Sequence, residues 1–146
     1  MLLSKSFGYA LRGVLYVAMM NASKKKVQLD EMAEKLAVPR HFLAKVMKRV
    51  VKEGILSSVR GLNGGFCINE STLQTILIRL VELSGGAVWF NSCVLQLRKC
   101  NAKNPCPMHT QVELLRKKWF EVLNNTSIES LLRKDQPDFI KSIAAI

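Results

Sequence analysis

The chain has 146 residues, 49% hydrophobic and 23% charged, which is enough to bury one core and too apolar for disorder throughout. No stretch reaches the roughly 18 uninterrupted apolar residues of a membrane span, and the short apolar run 13–20, soon followed by Lys24, Lys25 and Lys26, makes a poor signal peptide. The expected location is the cytosol. Lys and Arg number 22 against 11 Asp and Glu, a net charge of +11, and residues 1–66 hold 12 of the basic and 4 of the acidic ones. A first half at +8 is what a nucleic-acid-binding module carries, with solvated lysines as the plainer alternative.

Ser4 opens a helical pattern in which Phe7, Leu11, Val14, Leu15, Ala18 and Met19 recur at three- and four-residue steps as far as residue 21. Residues 22–26 form a polar loop. A second, short helix follows over about 30–36, with Asp30 and Glu31 at its positive end. Pro39 reads as the first residue of a third helix, where its fixed φ fits and its missing N–H costs nothing. That helix runs to about residue 53, and Gly54 suits its exit.

The period then changes. Residues 55–59 and 65–68 are short β-prone runs joined by Arg60-Gly61-Leu62-Asn63-Gly64, a hairpin with a tight, basic tip. A further helix is expected over 73–83, ending at Ser84-Gly85-Gly86. Residues 89–109 show no clear periodicity. A long helix then spans about 107–123, with Val112, Leu115, Trp119, Val122 and Leu123 on one side, and Thr126 or Ser127 caps a last short helix through 132. The fold class is mainly α with a small β-hairpin. Residues 1–70 form a winged helix-turn-helix, and 71–146 carry the cysteine loop and the long C-terminal dimerisation helix within one compact domain.

Helix, helix, basic helix and hairpin in some 65 residues is the order of a winged helix-turn-helix, which sets its second motif helix in the major groove. With Phe42, Val46 and Val50 as the inward stripe, Pro39, Arg40, His41, Ala44, Lys45 and Lys48 are left for DNA. Arg40 and Lys45 suit guanine acceptors, and Lys48, Arg49 and Lys52 suit phosphates. Arg60, beside Gly61 and Asn63 at the hairpin tip, suits a narrow minor groove. Each charge alone is more simply a solvated side chain; their coincidence with the hairpin carries the inference.

Of the four cysteines, Cys93, Cys100 and Cys106 fall within fourteen residues, and Cys106 with His109 spans one helical turn. Arg98, Lys99 and Lys103 nearby favour the thiolate form that binds metals. The spacings leave an iron–sulfur cluster, a Cys3His zinc site without the usual CxxC knuckle, and reactive thiols open. Cys67, between Phe66 and Ile68, reads as a small buried or edge residue. There is no P-loop, no nucleophile–base pair and no metal-hydrolase motif, so an enzyme is not expected.

Leu3-Ser4-Lys5 with Tyr9-Ala10-Leu11-Arg12, the stretch from Val38-Pro39-Arg40-His41 to Lys45, and the hairpin Arg60-Gly61-Leu62-Asn63-Gly64-Gly65-Phe66 together resemble the IscR/NsrR/CymR family of bacterial winged-helix repressors. The cysteine loop and the helix after it extend the resemblance to nearly the whole chain. It implies a homodimer paired through the long helix on a palindrome-like operator in double-stranded DNA. It also implies, for members with three loop cysteines, an iron–sulfur cluster sensing cluster supply, nitric oxide or redox state. Cys93, Cys100, Cys106 and His109 look like the Cys3His set, which implies 2Fe–2S in preference to 4Fe–4S. The first cysteine gap is six residues where the family's usual gap is five, and Gly8 stands where some nitric-oxide sensors carry an acidic ligand. The expected function is thus a cluster-sensing transcriptional repressor. The rivals are a cluster-free thiol- or zinc-responsive regulator and, outside that class, an iron–sulfur electron carrier. Neither a membrane nor a small-molecule substrate is expected.

Overall fold

The computed structural model describes residues 3–133 together with 142 and 143. Helix α1 (Lys5–Met20) is capped by Ser4, whose Oγ accepts the Phe7 N–H at 3.1 Å. Such a cap is worth about 1 kcal/mol. α1 is the central element, packing against α2 (Leu29–Leu36), α3 (Arg40–Lys52), α4 (Leu77–Leu83) and α7 (Ile128–Leu132). Its Ala10, Val14 and Val17 are buried with Met32, Leu36, Leu43, Met47 and Leu80 in one core. Gly13 gives up helix propensity, about 1 kcal/mol against Ala, for close approach. A Cβ there would stand 2.6 Å from Met47 Sδ, so its absence lets α3 settle onto α1.

α2 ends on Ala37 in the left-handed region, and the Val38 N–H returns to the Ala33 carbonyl at 3.0 Å. The chain thereby turns at once into α3. Pro39 is the cap of α3 and not its first residue: its ψ of 127° is extended, while its carbonyl already accepts from Phe42 at 3.1 Å and Leu43 at 3.0 Å. The hairpin consists of β1 (Ser57–Val59) and β2 (Gly65–Cys67), antiparallel with Ser58 opposite Phe66, and both strands are shorter than the β-prone runs that contain them. Val27 pairs with Phe66 through both backbone bonds, at 2.9 and 2.8 Å, tying the hairpin to the entrance of α2. Gly65, at φ 143°, makes this possible, since a Cβ there would lie 2.6 Å from the Val27 carbonyl oxygen.

α4 begins four residues later than its apolar pattern indicates. Thr72 Oγ1 donates to the Ile55 carbonyl at 2.6 Å, and Thr75 Oγ1 to that of Ser71 at 2.8 Å, holding turns in place of a first helical turn. The backbone of this stretch is paired elsewhere: Leu77 N–H to Thr126 O, Ile128 N–H to Thr75 O and Glu129 N–H to Leu73 O, each at 2.9 to 3.0 Å. A short α5 (Ala87–Asn91) precedes the cysteine loop, and α6 (His109–Asn124) follows it. Ser127 caps α7 in a reciprocal pair with Ser130, while the Thr126 hydroxyl instead donates to the Val122 carbonyl. Among the described residues no helix is long and apolar enough to cross a membrane.

Candidate nucleic-acid interface and cysteine cleft

The inward stripe of α3 is Leu43, Val46, Met47 and Val50. Phe42 is not part of it. Its side chain is 48% exposed, its ring 4.1 Å from that of His41, so an aromatic pair stands on the outer face where the apolar pattern placed a core residue. Pro39, Arg40, His41, Lys45, Lys48, Arg49 and Lys52 are exposed with it, and Ala44 is half-buried. Arg40 is engaged: its Nε donates to Asp30 Oδ1 at the start of α2.

Beyond β1, Arg60, Gly61 and Asn63 are exposed, and Gly61 takes a φ of 107°. Gln28 Nε2 donates to the Leu62 carbonyl at 3.0 Å, bracing the hairpin tip against α2. Close by, Lys24 Nζ (2.6 Å) and the Tyr16 hydroxyl (3.0 Å) both donate to Glu31 Oε1. Lys24 holds the Glu31 carboxyl below its ordinary range, and burial with the Glu31 bond pushes the Tyr16 hydroxyl up to about 12. This network fixes the loop beside the hairpin.

The other site shares no lining residue with α3 or the hairpin. A cleft of about 680 Å³ is lined by Cys93, Cys100, Cys106 and His109, with α4 contributing Ile78 and Val81 and α6 contributing Arg116 and Phe120. Consecutive turns build its rim: Gln96 N–H bonds the Cys93 carbonyl at 2.9 Å, Asn104 N–H that of Asn101 at 3.2 Å, and His109 N–H that of Cys106 at 3.0 Å. Ser92 and Lys99 pair as an antiparallel bridge, which brings Cys93 and Cys100 to one side.

All four donors line the cleft, and two of them are in direct contact. Cys100 Sγ is 3.2 Å from His109 Nδ1, while Cys93 and Cys106 line the same cleft. The Leu95 backbone N–H, with further help from those of Leu97 and Arg98 and from Cys106, holds the Cys93 thiol below its ordinary range against the opposing effect of burial. His109 Nε2 is buried without a hydrogen-bond partner; Glu113 Oε2 stands 3.4 Å away, as an ion pair only when the ring is protonated. Among the described residues no three His, Cys, Asp or Glu side chains are disposed to hold a single metal ion, and all four cysteines are free thiols. Three thiols and an orphaned imidazole nitrogen around one cleft fit a multi-atom iron–sulfur group, which spans ligands more widely set than one ion does. α6 starts at His109, so Cys106 precedes the helix and does not sit in its first turn. Cys67 does not line the cleft; it is half-buried on β2, with its Sγ 3.7 Å from the Ser57 carbonyl.

The apolar side expected of α6 divides in two. Val112, Trp119 and Leu123 face inward with the buried Arg116, whereas Leu115 (65% exposed) and Val122 face outward one heptad apart, beside exposed Leu114. A charged residue in a helix reads as solvated, so nothing in the sequence singled out Arg116.

Residues 3–134 match the model of a family described as Rrf2, iron-dependent transcriptional regulator. A protein of Aquifex aeolicus, provisionally named an HTH-type transcriptional regulator, is 32% identical over 138 residues, covering 93% of this chain and 94% of its own. The HTH-type transcriptional regulator IscR of Pectobacterium carotovorum is 25% identical over 129 residues, 88% of this chain and 77% of its own. Among solved structures, T. potens IscR superposes with a TM-score of 0.71 at 17% identity, over 93% of this chain and 89% of its own, which shows a shared fold.

Proposed function

Because the chain belongs to the Rrf2 family of transcriptional regulators, which are not enzymes, we propose that it is a DNA-binding regulator whose affinity responds to an iron–sulfur cluster in the 93–109 cleft. The observation that carries the reading is the meeting of Cys93, Cys100, Cys106 and His109 in one cleft, the imidazole offering a buried nitrogen with no partner of its own. Those four residues would hold the cluster, with 2Fe–2S favoured over 4Fe–4S by the three-thiolate, one-imidazole set. When bound, it supplies a centre that reacts with oxidants and nitric oxide.

The chain's own residues do the rest. Pro39, Arg40, His41, Lys45, Lys48 and Arg49 present one face of α3 to the major groove, and Arg60, Gly61 and Asn63 present the hairpin to the adjacent minor groove. Leu114, Leu115 and Val122 on α6 pair with a second copy of the chain, which sets two recognition helices about 34 Å apart on a palindrome-like operator. α6 packs on α4, α4 on α1 and α1 on α3, so a shift of the cleft walls moves the DNA-binding helix.

Optical and electron paramagnetic resonance spectra of anaerobically purified protein, with iron and sulfide counted per chain, test the reading. Equal iron and sulfide with visible absorption supports it, while zinc or no metal overturns it. The free thiols of Cys93 and Cys106, which line one cleft, favour a second reading, a thiol-responsive regulator without iron, which a reversible disulfide between those two residues in the metal-free protein would establish. Operator affinity should fall steeply with salt, with a log–log slope of about −0.9 per phosphate neutralised.

A further inference from the structure

Arg116 is 8% exposed and has no carboxylate partner among the described residues. One of its guanidinium nitrogens, Nη2, donates to the Ser92 carbonyl, next to Cys93, and its Cζ lies 5.2 Å from the centre of the Trp89 ring. Its Nε is buried without a hydrogen-bond partner, in a side chain that lines the cysteine cleft. His109 and Arg116 are seven residues apart on the same face of α6, so one rigid helix carries both. A guanidinium this buried is costly unless an anion or several good acceptors answer its charge. Glu113, the nearest acidic residue along the helix, is turned to His109 and Lys117.

We propose that Arg116 is the positioning residue and counter-charge of the cysteine cleft, pinning Ser92, and with it Cys93, to α6 while its buried positive charge favours an anionic group among the thiols. The inference rests on the cluster reading for its second half only. The first half concerns the metal-free chain. Ser92 also bridges to Lys99, so the single bond from Arg116 holds both the segment leading into Cys93 and the one leading into Cys100. A group held by three thiolates and a neutral imidazole is negative and becomes more so on reduction, so a fixed cation beside it favours the reduced form.

Two variants separate the roles. Arg116→Met keeps length and loses both charge and donors, and Arg116→Lys keeps the charge on a single donor nitrogen in place of the planar fork. In the metal-free protein, alkylation of Cys93 by iodoacetamide, mapped by mass spectrometry, should speed up roughly tenfold or more in Arg116→Met and by less in Arg116→Lys. Cys67 should react at the same rate in all three, which checks that the fold is kept. In anaerobically reconstituted protein, the midpoint potential should fall in Arg116→Met and stay near wild type in Arg116→Lys. Unchanged Cys93 protection in both variants overturns the positioning role, and an unchanged potential in Arg116→Met overturns the counter-charge. A wild type that retains no iron refutes the cluster reading and the counter-charge together, while the alkylation rates still decide the clamp.

Discussion

Truncating Phe42 separates the structure from the simplest reading of the sequence. Were Phe42 a core residue, Phe42→Ala would cost about 3–5 kcal/mol through lost burial and a cavity. The structure leaves its side chain 48% exposed and sets it against the His41 ring at a tilt of 39°, so only part of that transfer is at stake and no closed cavity forms. Half of a full burial of about 2–3 kcal/mol gives an expected loss near 1 kcal/mol. Leu43, its neighbour, is 0% exposed in the α1–α3 core, and Leu43→Ala should cost about 2–5 kcal/mol. Urea unfolding measures both, provided the slope m is common to wild type and variants. Fluorescence anisotropy with an identified operator should then rank them the other way: Phe42→Ala weakens binding by about 1–2 kcal/mol through lost apolar contact with base methyls, and folded Leu43→Ala binds nearly as wild type. Equal destabilisation by the two substitutions would refute the orientation of α3 and, with it, the assignment of its DNA face.

Further outcomes are expected elsewhere. Asp30→Asn should tighten operator binding by about 0.5–1 kcal/mol at low salt, since it releases Arg40 from an exposed ion pair and removes a carboxylate beside the proposed DNA face, and anisotropy across a salt series checks it. Gly65→Ala should loosen the hairpin, because φ 143° and the Val27 carbonyl both exclude a Cβ; amide exchange at Phe66 should quicken while exchange in α1 does not. Glu31 has its folded pKa below the unfolded value, so its contribution to stability is complete above the unfolded carboxylate range and is lost as pH falls through the folded value; Glu31→Gln should flatten that acid limb of the unfolding curve. Replacing Cys93, Cys100 or Cys106 by Ala should abolish stable cluster binding and His109→Ala should leave it labile, whereas Cys67→Ala, on the hairpin, should leave iron and visible absorption unchanged.

Much of this architecture was legible from local pattern. The helix opening at Ser4, the exit at Gly54 and the glycine-rich hairpin each depend on residues near them in sequence, and the structure keeps all three. The misplacement of Phe42 arises because Phe42 and Leu43 are adjacent apolar residues 100° apart on a helix; counting Met47, which completes a stripe with Leu43, Val46 and Val50, would have decided it. The late start of α4 was hidden for a different reason. Leu73, Ile76 and Leu77 fit a helical period, but the backbone around them is claimed by residues 126–129, some fifty positions away. In the cleft, residue type and spacing singled out the three cysteines and His109. Arg116 was invisible, since its burial depends on Trp89 and Ser92 reaching it from another part of the chain.

The pairing between 73–77 and 126–129 has a consequence for how this molecule can vary. It joins the entrance of α4 to the exit of α6 by main-chain bonds that are indifferent to side-chain identity. The span between these two paired segments is thereby a closed lobe whose base is fixed without any help from its tip. A peptide bond cut at the tip should leave two pieces still held together, recovered as one particle on gel filtration and parted only by denaturant. Insertions or deletions there cost little, because lengthening an already closed loop adds only a slowly growing entropy term. The tip can therefore change its length and its sequence while α1, α4 and α7 keep their packing.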